Sequence, residues 1–276
     1  MTWKKIALAG CSDPRKAEEQ ESLQELVRLL RGMDLEVVCG KCIWGGTAAE
    51  KAAELTSFFA DPDMDYIFDI TGGDLANEIL GLLDYETIRN SRAIYAGYSD
   101  LTVVLNAILA KTGRETVNWQ IRNLLYEHAE AEQAYFREKI LAGKLNTDDL
   151  EIRLVRGTAM RGIVAGGNIR CLLKLAGTPY FPDMDGKILL LESMSGGPAR
   201  MRTSLVQLQQ MGVFEQVSGV LLGTFTQMDR DGLKPSVADM LAELLPEHVP
   251  LALTPYIGHG RDARAIAIGR MADLEA

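Results

Sequence analysis

Long apolar runs are missing from this 276-residue chain. None reaches the roughly 18–20 residues that a bilayer-spanning helix requires. The opening "MTWKKIALAGCSDPRK" has too short an apolar segment, and no small-residue cleavage site, to read as a signal peptide. We therefore expect a cytoplasmic protein with no membrane partner. Excess positive charge is missing too. The net charge of −9 argues against a nucleic-acid partner, because binding a phosphate backbone needs a basic face. Cysteine is scarce, with Cys11, Cys39, Cys42 and Cys171 the full set. Cys39 and Cys42 make a lone C-G-K-C with no further Cys or His at zinc spacing. Its context, "VVCGKCIWGG", runs into a glycine loop rather than opening a helix as a redox pair does. Reduced structural thiols are expected, with no metal and no cofactor. Neither G-x-G-x-x-G nor a Walker lysine is present, which weakens a nucleotide-binding reading of "WGGTAAE" or "TGGD" at helix N-termini.

What is present is an alternation of strand and helix. A hydrophobic content of 47% and a charged content of 24% suit a globular domain or two. "KIALAG", "LEVVCG", "YIFDIT" and "AIYAG" are short apolar runs that read as strands. Between the first two, Leu23, Leu26, Val27 and Leu30 share one helical face. Asp13 and Pro14 are placed to start that helix and Gly32 to end it. Thr47-Ala48-Ala49-Glu50 is a capping box opening the next helix. Leu75 to Leu83 reads as a third helix. Residues 122–156 are charged and weakly periodic, and read as a solvated connecting helix. Beyond them "IRLV", "GIVAGG", "GKILLLES", "VSGVLLGTFT", "LALTPYIG" and "AIAIGRMADL" alternate with helical patterns. The expected fold is α/β. An N-terminal domain (1–125) with a doubly wound, mostly parallel sheet is followed by a linker helix region (126–156). A second, smaller α/β domain (157–276) completes it, with the catalytic cleft between the two.

Ligands of such sheets bind beyond the C-terminal ends of the strands, and four features lie there. Gly97-Tyr98-Ser99-Asp100-Leu101 puts a serine on a strand-turn-helix corner, as in a nucleophile elbow, with the next N–H at a helix N-terminus. The motif is incomplete, because Leu101 stands where a glycine belongs, and a serine before a helix is also an ordinary N-cap. Gly72 and Gly73 follow a strand and allow backbone N–H groups to approach a ligand, or simply make a turn. Glu192 ends an apolar strand. Of three histidines, only His259 sits at a strand end between glycines, a position expected to be mobile and exposed. Taken together these fit a Ser-Glu-His triad.

The chain resembles the LD-carboxypeptidase family, which includes muramoyl-tetrapeptide carboxypeptidases and microcin-C self-immunity proteins. The resemblance spans nearly the whole length. It rests on "FADPDMDYIFDITGGD", "LLDYETIRNSRAIYAGYSDLTVVLNAI", "GIVAGGNIRCLLKLAGTPYFPDMDGKILLLE", "LVQLQQMGVFEQVSGVLLGTF" and "PYIGHGRDARAIAIG", in the family's order. The "TGGD" turn looks closer to the microcin-immunity branch. The resemblance implies a serine carboxypeptidase-like hydrolase that cleaves an amide near the C-terminus of a small substrate, either a murein L,D-peptide or an aminoacyl-nucleotide. It assigns Ser99 as nucleophile, Glu192 and His259 as its partners, and the N–H groups of Gly72, Gly73 and Asp100 as the oxyanion hole. Asn168, in Gly166-Gly167-Asn168, becomes a candidate substrate contact, and a homodimer is expected. Two stretches depart from the family. Asn118-Trp119-Gln120 replaces a His/Tyr-Gly-Pro turn. "SMSGGPARMRTS" follows the glutamate, with Met201-Arg202 in place of Ile-Asp. Trp119 either lines the cleft, where it would stack on or narrow the substrate site, or packs as core. Arg170, Arg200 and Arg202 are available to meet a substrate carboxylate.

Overall fold

The computed structural model describes residues 4–275. Among them, the strands are β1 (Lys4–Ala9), β2 (Leu35–Cys39), β3 (Met64–Asp69), β4 (Ile94–Gly97), β5 (Thr116–Asn118), β6 (Arg153–Arg156), β7 (Ala159–Asn168), β8 (Ile188–Ser193), β9 (Gly219–Phe225), β10 (Leu251–Leu253), β11 (Ile266–Ile268) and β12 (Met271–Glu275). They form two six-stranded sheets. In the first, β2-β1-β3-β4-β5 run parallel and β11 adds antiparallel to β5. In the second, β7 to β10 run parallel, with β12 antiparallel on one edge and β6 antiparallel on the other. The fold is thus α/β, and its first sheet has the doubly wound order whose switch point lies between β1 and β3.

The stretch "AIAIGRMADL", expected as one strand, is two. The chain turns at Gly269, at φ +93°, so that β11 completes the first sheet and β12 the second.

Local signals explain many of the helices. The Thr47–Glu50 capping box forms, with Thr47 Oγ1 accepting from Glu50 N (3.2 Å) and Glu50 Oε2 from Thr47 N (2.7 Å). Leu26 and Leu30 are buried on the helix Gln20–Arg31. That helix is not capped by Asp13, however. The Asp13 N–H donates to the Gly72 carbonyl, and its carboxylate accepts from Asp74 N (3.2 Å). The side chain is spent joining the loops after β1 and β3. Leu75–Leu83 forms successive 3₁₀ turns, Ala76–Leu82, in place of an α-helix.

Residues 122–156 do not form a solvated linker. The helix Ala129–Tyr135 passes into a π-turn, Phe136–Ile140, and Phe136, Ile140 and Leu150 are buried. A π-turn shifts the buried face partway along the segment, which erases the 3.6-residue period by which a sequence reveals a packed helix. Phe136 anchors the segment. Its ring stacks on Trp119 (5.7 Å between centroids, 12° between planes) and meets the edge of Phe68 (5.6 Å).

This settles Trp119. It is 2% exposed, its Nε1–H donates to the Ala263 carbonyl (3.1 Å), and it takes no part in lining the cleft cavity described below. The cleft-facing expectation is corrected, because the residue is core. No helix among the described residues is long and apolar enough to cross a membrane.

Truncating a buried tryptophan removes its transfer free energy and leaves a cavity. Trp119→Ala is therefore expected to cost about 3–5 kcal/mol and to lower Tm by several degrees, while leaving the ranking of substrates unchanged. Thermal unfolding, run alongside an assay of two substrate classes, checks both halves of the expectation.

Candidate active site

The helix Thr102–Thr112 lies between the two sheets and is buried on all sides from Thr102 to Leu109. Polar residues fasten it to β7. Asn106 exchanges two hydrogen bonds with Gly166, at 2.9 Å each, and Thr102 Oγ1 accepts from Asn168 N (3.0 Å). A Cβ at Gly167 would come within 2.8 Å of Thr102 Oγ1, so this glycine serves close approach of the second sheet to the helix.

Ser99 sits where β4 turns into that helix, at φ +56°. This is a left-handed conformation that a residue with a Cβ adopts at a cost of order 1–3 kcal/mol, as at a nucleophile elbow. The missing fifth-position glycine has an explanation. Leu101 is fully buried, and a Cβ at Gly97 would come within 2.8 Å of its own. One glycine on the strand side therefore gives the corner its clearance.

At the end of β8, Glu192 is 2% exposed, and its Oε2 lies 2.7 Å from His259 Nδ1. With a carboxylate on Nδ1, the neutral ring carries its proton there and turns a lone pair out at Nε2. That Nε2 is buried and has no hydrogen-bond partner among the described residues. His259 was expected to be exposed and mobile. Its side chain is only 7% exposed. The glycine before it serves clearance: at φ +142°, a Cβ on Gly258 would overlap the Thr224 hydroxyl. Gly223 on β9 likewise lets the Ile257 carbonyl pass close by, next to Glu192.

Ser99 is not hydrogen-bonded to His259 here. The two are linked through Tyr98, whose ring centroid lies 5.2 Å from that of His259. Its hydroxyl accepts from Arg122 Nη2 (2.9 Å), and burial pushes the phenol pKa up, so it stays protonated. Ser99, Gly73 and Asn168 line one cavity of about 350 Å³, with Arg170, Arg200 and the 193–195 turn. Gly72 is absent from that lining, and its carbonyl is bound to Asp13. The Asn168 carboxamide oxygen caps the helix Ile169–Leu173 by accepting from Cys171 N (3.3 Å).

Sequence reasoning credited Asp100 with its backbone N–H alone and missed its side chain. The carboxylate is fully buried. Oδ2 accepts from Ser12 Oγ (2.7 Å) and Ala76 N (2.9 Å), and Oδ1 lies 2.6 Å from Lys174 Nζ. Cys171 Sγ is 3.5 Å from Oδ1, and burial together with this carboxylate raises its thiol pKa to about 12. That thiol is inert, and all four cysteines are free. The available signal was an acid directly after the corner serine, at the start of an otherwise apolar helix.

Comparison with known proteins agrees with this architecture. Residues 6–118 match the LD-carboxypeptidase N-terminal domain, and residues 161–274 match the LD-carboxypeptidase C-terminal domain. A probable murein peptide carboxypeptidase of Bacillus subtilis is 27% identical over 286 residues, covering 98% of this chain and 87% of its own. The microcin C7 self-immunity protein MccF of Escherichia coli is 27% identical over 278 residues, covering 87% of this chain and 81% of its own. A solved structure of MccF in complex with aspartyl sulfamoyl adenosine superposes with a TM-score of 0.87 at 22% identity, covering 100% of this chain and 94% of that one. With both domains of the family matched in order across most of its length, the chain belongs to the LD-carboxypeptidase family.

Proposed function

We propose that the protein is a serine hydrolase that cleaves an amide bond near the free carboxylate end of a small substrate. The observation that carries this reading is the buried Glu192–His259 pair at 2.7 Å, with Nε2 unpartnered, packed against the ring of Tyr98, the neighbour in sequence of a serine held at positive φ. In this mechanism His259 Nε2 takes the proton as Ser99 Oγ bonds to the substrate carbonyl carbon. Glu192 stabilises the resulting imidazolium without taking the proton. The N–H groups of Asp100 and of the Gly72-Gly73 turn stabilise the oxyanion. Each such donor is worth about 3–4 kcal/mol of barrier. The carbon–nitrogen bond then breaks, and His259 gives its proton to the departing amine. Water, deprotonated by the same Nε2, cleaves the acyl-enzyme and restores the serine.

The relatives' names supply two substrate classes to test, murein peptides and aminoacyl nucleotides. The alternative, a non-catalytic small-molecule-binding protein on the same scaffold, would rest on the altered 118–120 turn, and that turn's tryptophan is core.

Three arginines were candidates to meet a substrate carboxylate. Arg170 is already paired with Asp74 and donates to the Gly73 carbonyl. Arg202 is paired with Glu243 at 2.6 Å. Arg200 lines the Ser99 cavity, and among the described residues no carboxylate ion-pairs with it. We assign it the substrate carboxylate.

Ser99→Ala and His259→Ala are each expected to abolish hydrolysis in a folded protein, the first at unchanged Tm and the second at a lower one because it strips the buried Glu192 of its partner. The double variant is expected to be little worse in activity than either, because triad members act as a unit. Labelling of Ser99 by a fluorophosphonate, followed by mass spectrometry, checks the nucleophile. Wild-type turnover by Ser99→Ala would refute the mechanism.

Arg200→Ala is expected to raise KM by about 10- to 100-fold, the worth of a hydrogen bond to a charged group, with little change in kcat. Fluorophosphonate labelling, which involves no substrate carboxylate, should be unchanged. Steady-state kinetics on a free-acid peptide and its C-terminal amide provide the comparison: the variant should no longer distinguish them.

A further inference from the structure

The loop that carries His259 is gripped by a part of the chain that contributes nothing to the triad. Its neck is closed by Arg264 N donating to the Tyr256 carbonyl (2.7 Å). Three connections then run from residues 122–135 to this loop. Arg264 pairs with Glu132, and its guanidinium lies 4.7 Å from the centre of the Tyr135 ring. Arg261 repeats the arrangement, pairing with Glu127 and lying 4.9 Å from the centre of the Tyr126 ring. Arg122 reaches the imidazole from the other side, through the Tyr98 hydroxyl and the Tyr98 ring.

Glu132 is the member that calls for an explanation. Its side chain is fully buried, and Oε2 has no hydrogen-bond partner among the described residues. Burial pushes its carboxyl pKa up against the opposing pull of Arg264. Apolar residues of similar volume replace buried ion pairs at little cost and often with a gain in stability, so stability alone gives no reason for a carboxylate here. What an arginine–carboxylate pair adds is direction, because a planar guanidinium fixes the geometry of whatever carries it. The carrier here is the neck of the histidine loop.

We propose that residues 122–135 form a positioning frame for His259, with Glu132 and Arg264 as its central pair; the inference rests on the serine-hydrolase reading above. Neither residue touches the reacting atoms. They hold the imidazole at the orientation in which Nε2 meets the serine. On the β9 side the loop is held by Thr224 N donating to the Ile257 carbonyl (2.7 Å).

The test begins with wild-type protein, which must label at Ser99 with a fluorophosphonate; failure there sinks the hydrolase reading and not the frame alone. Glu132→Gln keeps the shape and removes the charge. It is expected to lower kcat about 10- to 100-fold, the effect of displacing a catalytic group by an ångström or less, with KM within about twofold of wild type. Ser99 should still titrate to full stoichiometry, only more slowly. A merely structural role gives the opposite pattern, reduced stoichiometry at the wild-type rate, and that result overturns the proposal. Arg264→Lys, which keeps the charge and loses the planar guanidinium, should shift kcat in the same direction by less. Wild-type kcat in both variants also overturns the proposal. Should Glu132→Gln not fold, the exposed pair decides. Arg261→Glu should slow labelling, and adding Glu127→Arg should restore it; an unchanged labelling rate in Arg261→Glu counts against the frame.

Discussion

One buried carboxylate organises this molecule. Asp100 takes hydrogen bonds from the loop after β1 and from the turn after β3, and an ion pair from Lys174, which follows β7. It stands one residue after the corner serine, so the segments that follow β1, β3 and β7 are all referenced to the position of Ser99. A charge with no solvent exposure is tolerable only because every direction around it is satisfied. Removing one partner of such a pair leaves the other stranded, at about 3–5 kcal/mol. The positive φ of Ser99 is a strained state that persists because its surroundings over-determine it, and the Asp100 contacts are a large part of those surroundings.

Glycines play the complementary part. At Gly97, Gly167, Gly223 and Gly258 a side chain would strike the neighbouring element. The first clears the serine corner itself, and the other three mark places where one element comes within contact of another near the site. The histidine loop illustrates the difference between permissive and mobile. Its flanking glycine invites a reading of flexibility, yet the imidazole is buried and held from two sides. The glycine is there so that the loop can sit close against Thr224.

Much of this was legible in the sequence. Apolar runs bounded by turns revealed the strands, capping residues marked the helix Ala48–Ala60, and the strand-end positions of Glu192 and His259 singled out two residues that the structure joins. The losses have two physical origins, distant partners and a local break in helical period. Asp13 looked like a helix cap because local spacing allowed it, and only the arrival of Gly72 beside it assigns it elsewhere. The burial of Phe136 was hidden by a π-turn that broke the helical period. The roles of the Asp100 carboxylate, Glu132 and Trp119 depend on partners from 24 to 144 residues away, and no window along the chain contains both halves of such a contact.

The antiparallel strand β11 has a bearing on how the protein is made. It pairs with β5, so the first sheet gains its sixth strand only after β6 to β10 of the second sheet have been made. Until then β5 is an open sheet edge, able to pair with any other exposed strand, and the contact that closes it is among the most distant in sequence, hence slow to form. The same late segment carries His259. A nascent or truncated chain would therefore present the serine corner with neither its base nor its covered edge. The strand that covers this edge arrives together with the residue proposed to make its serine reactive.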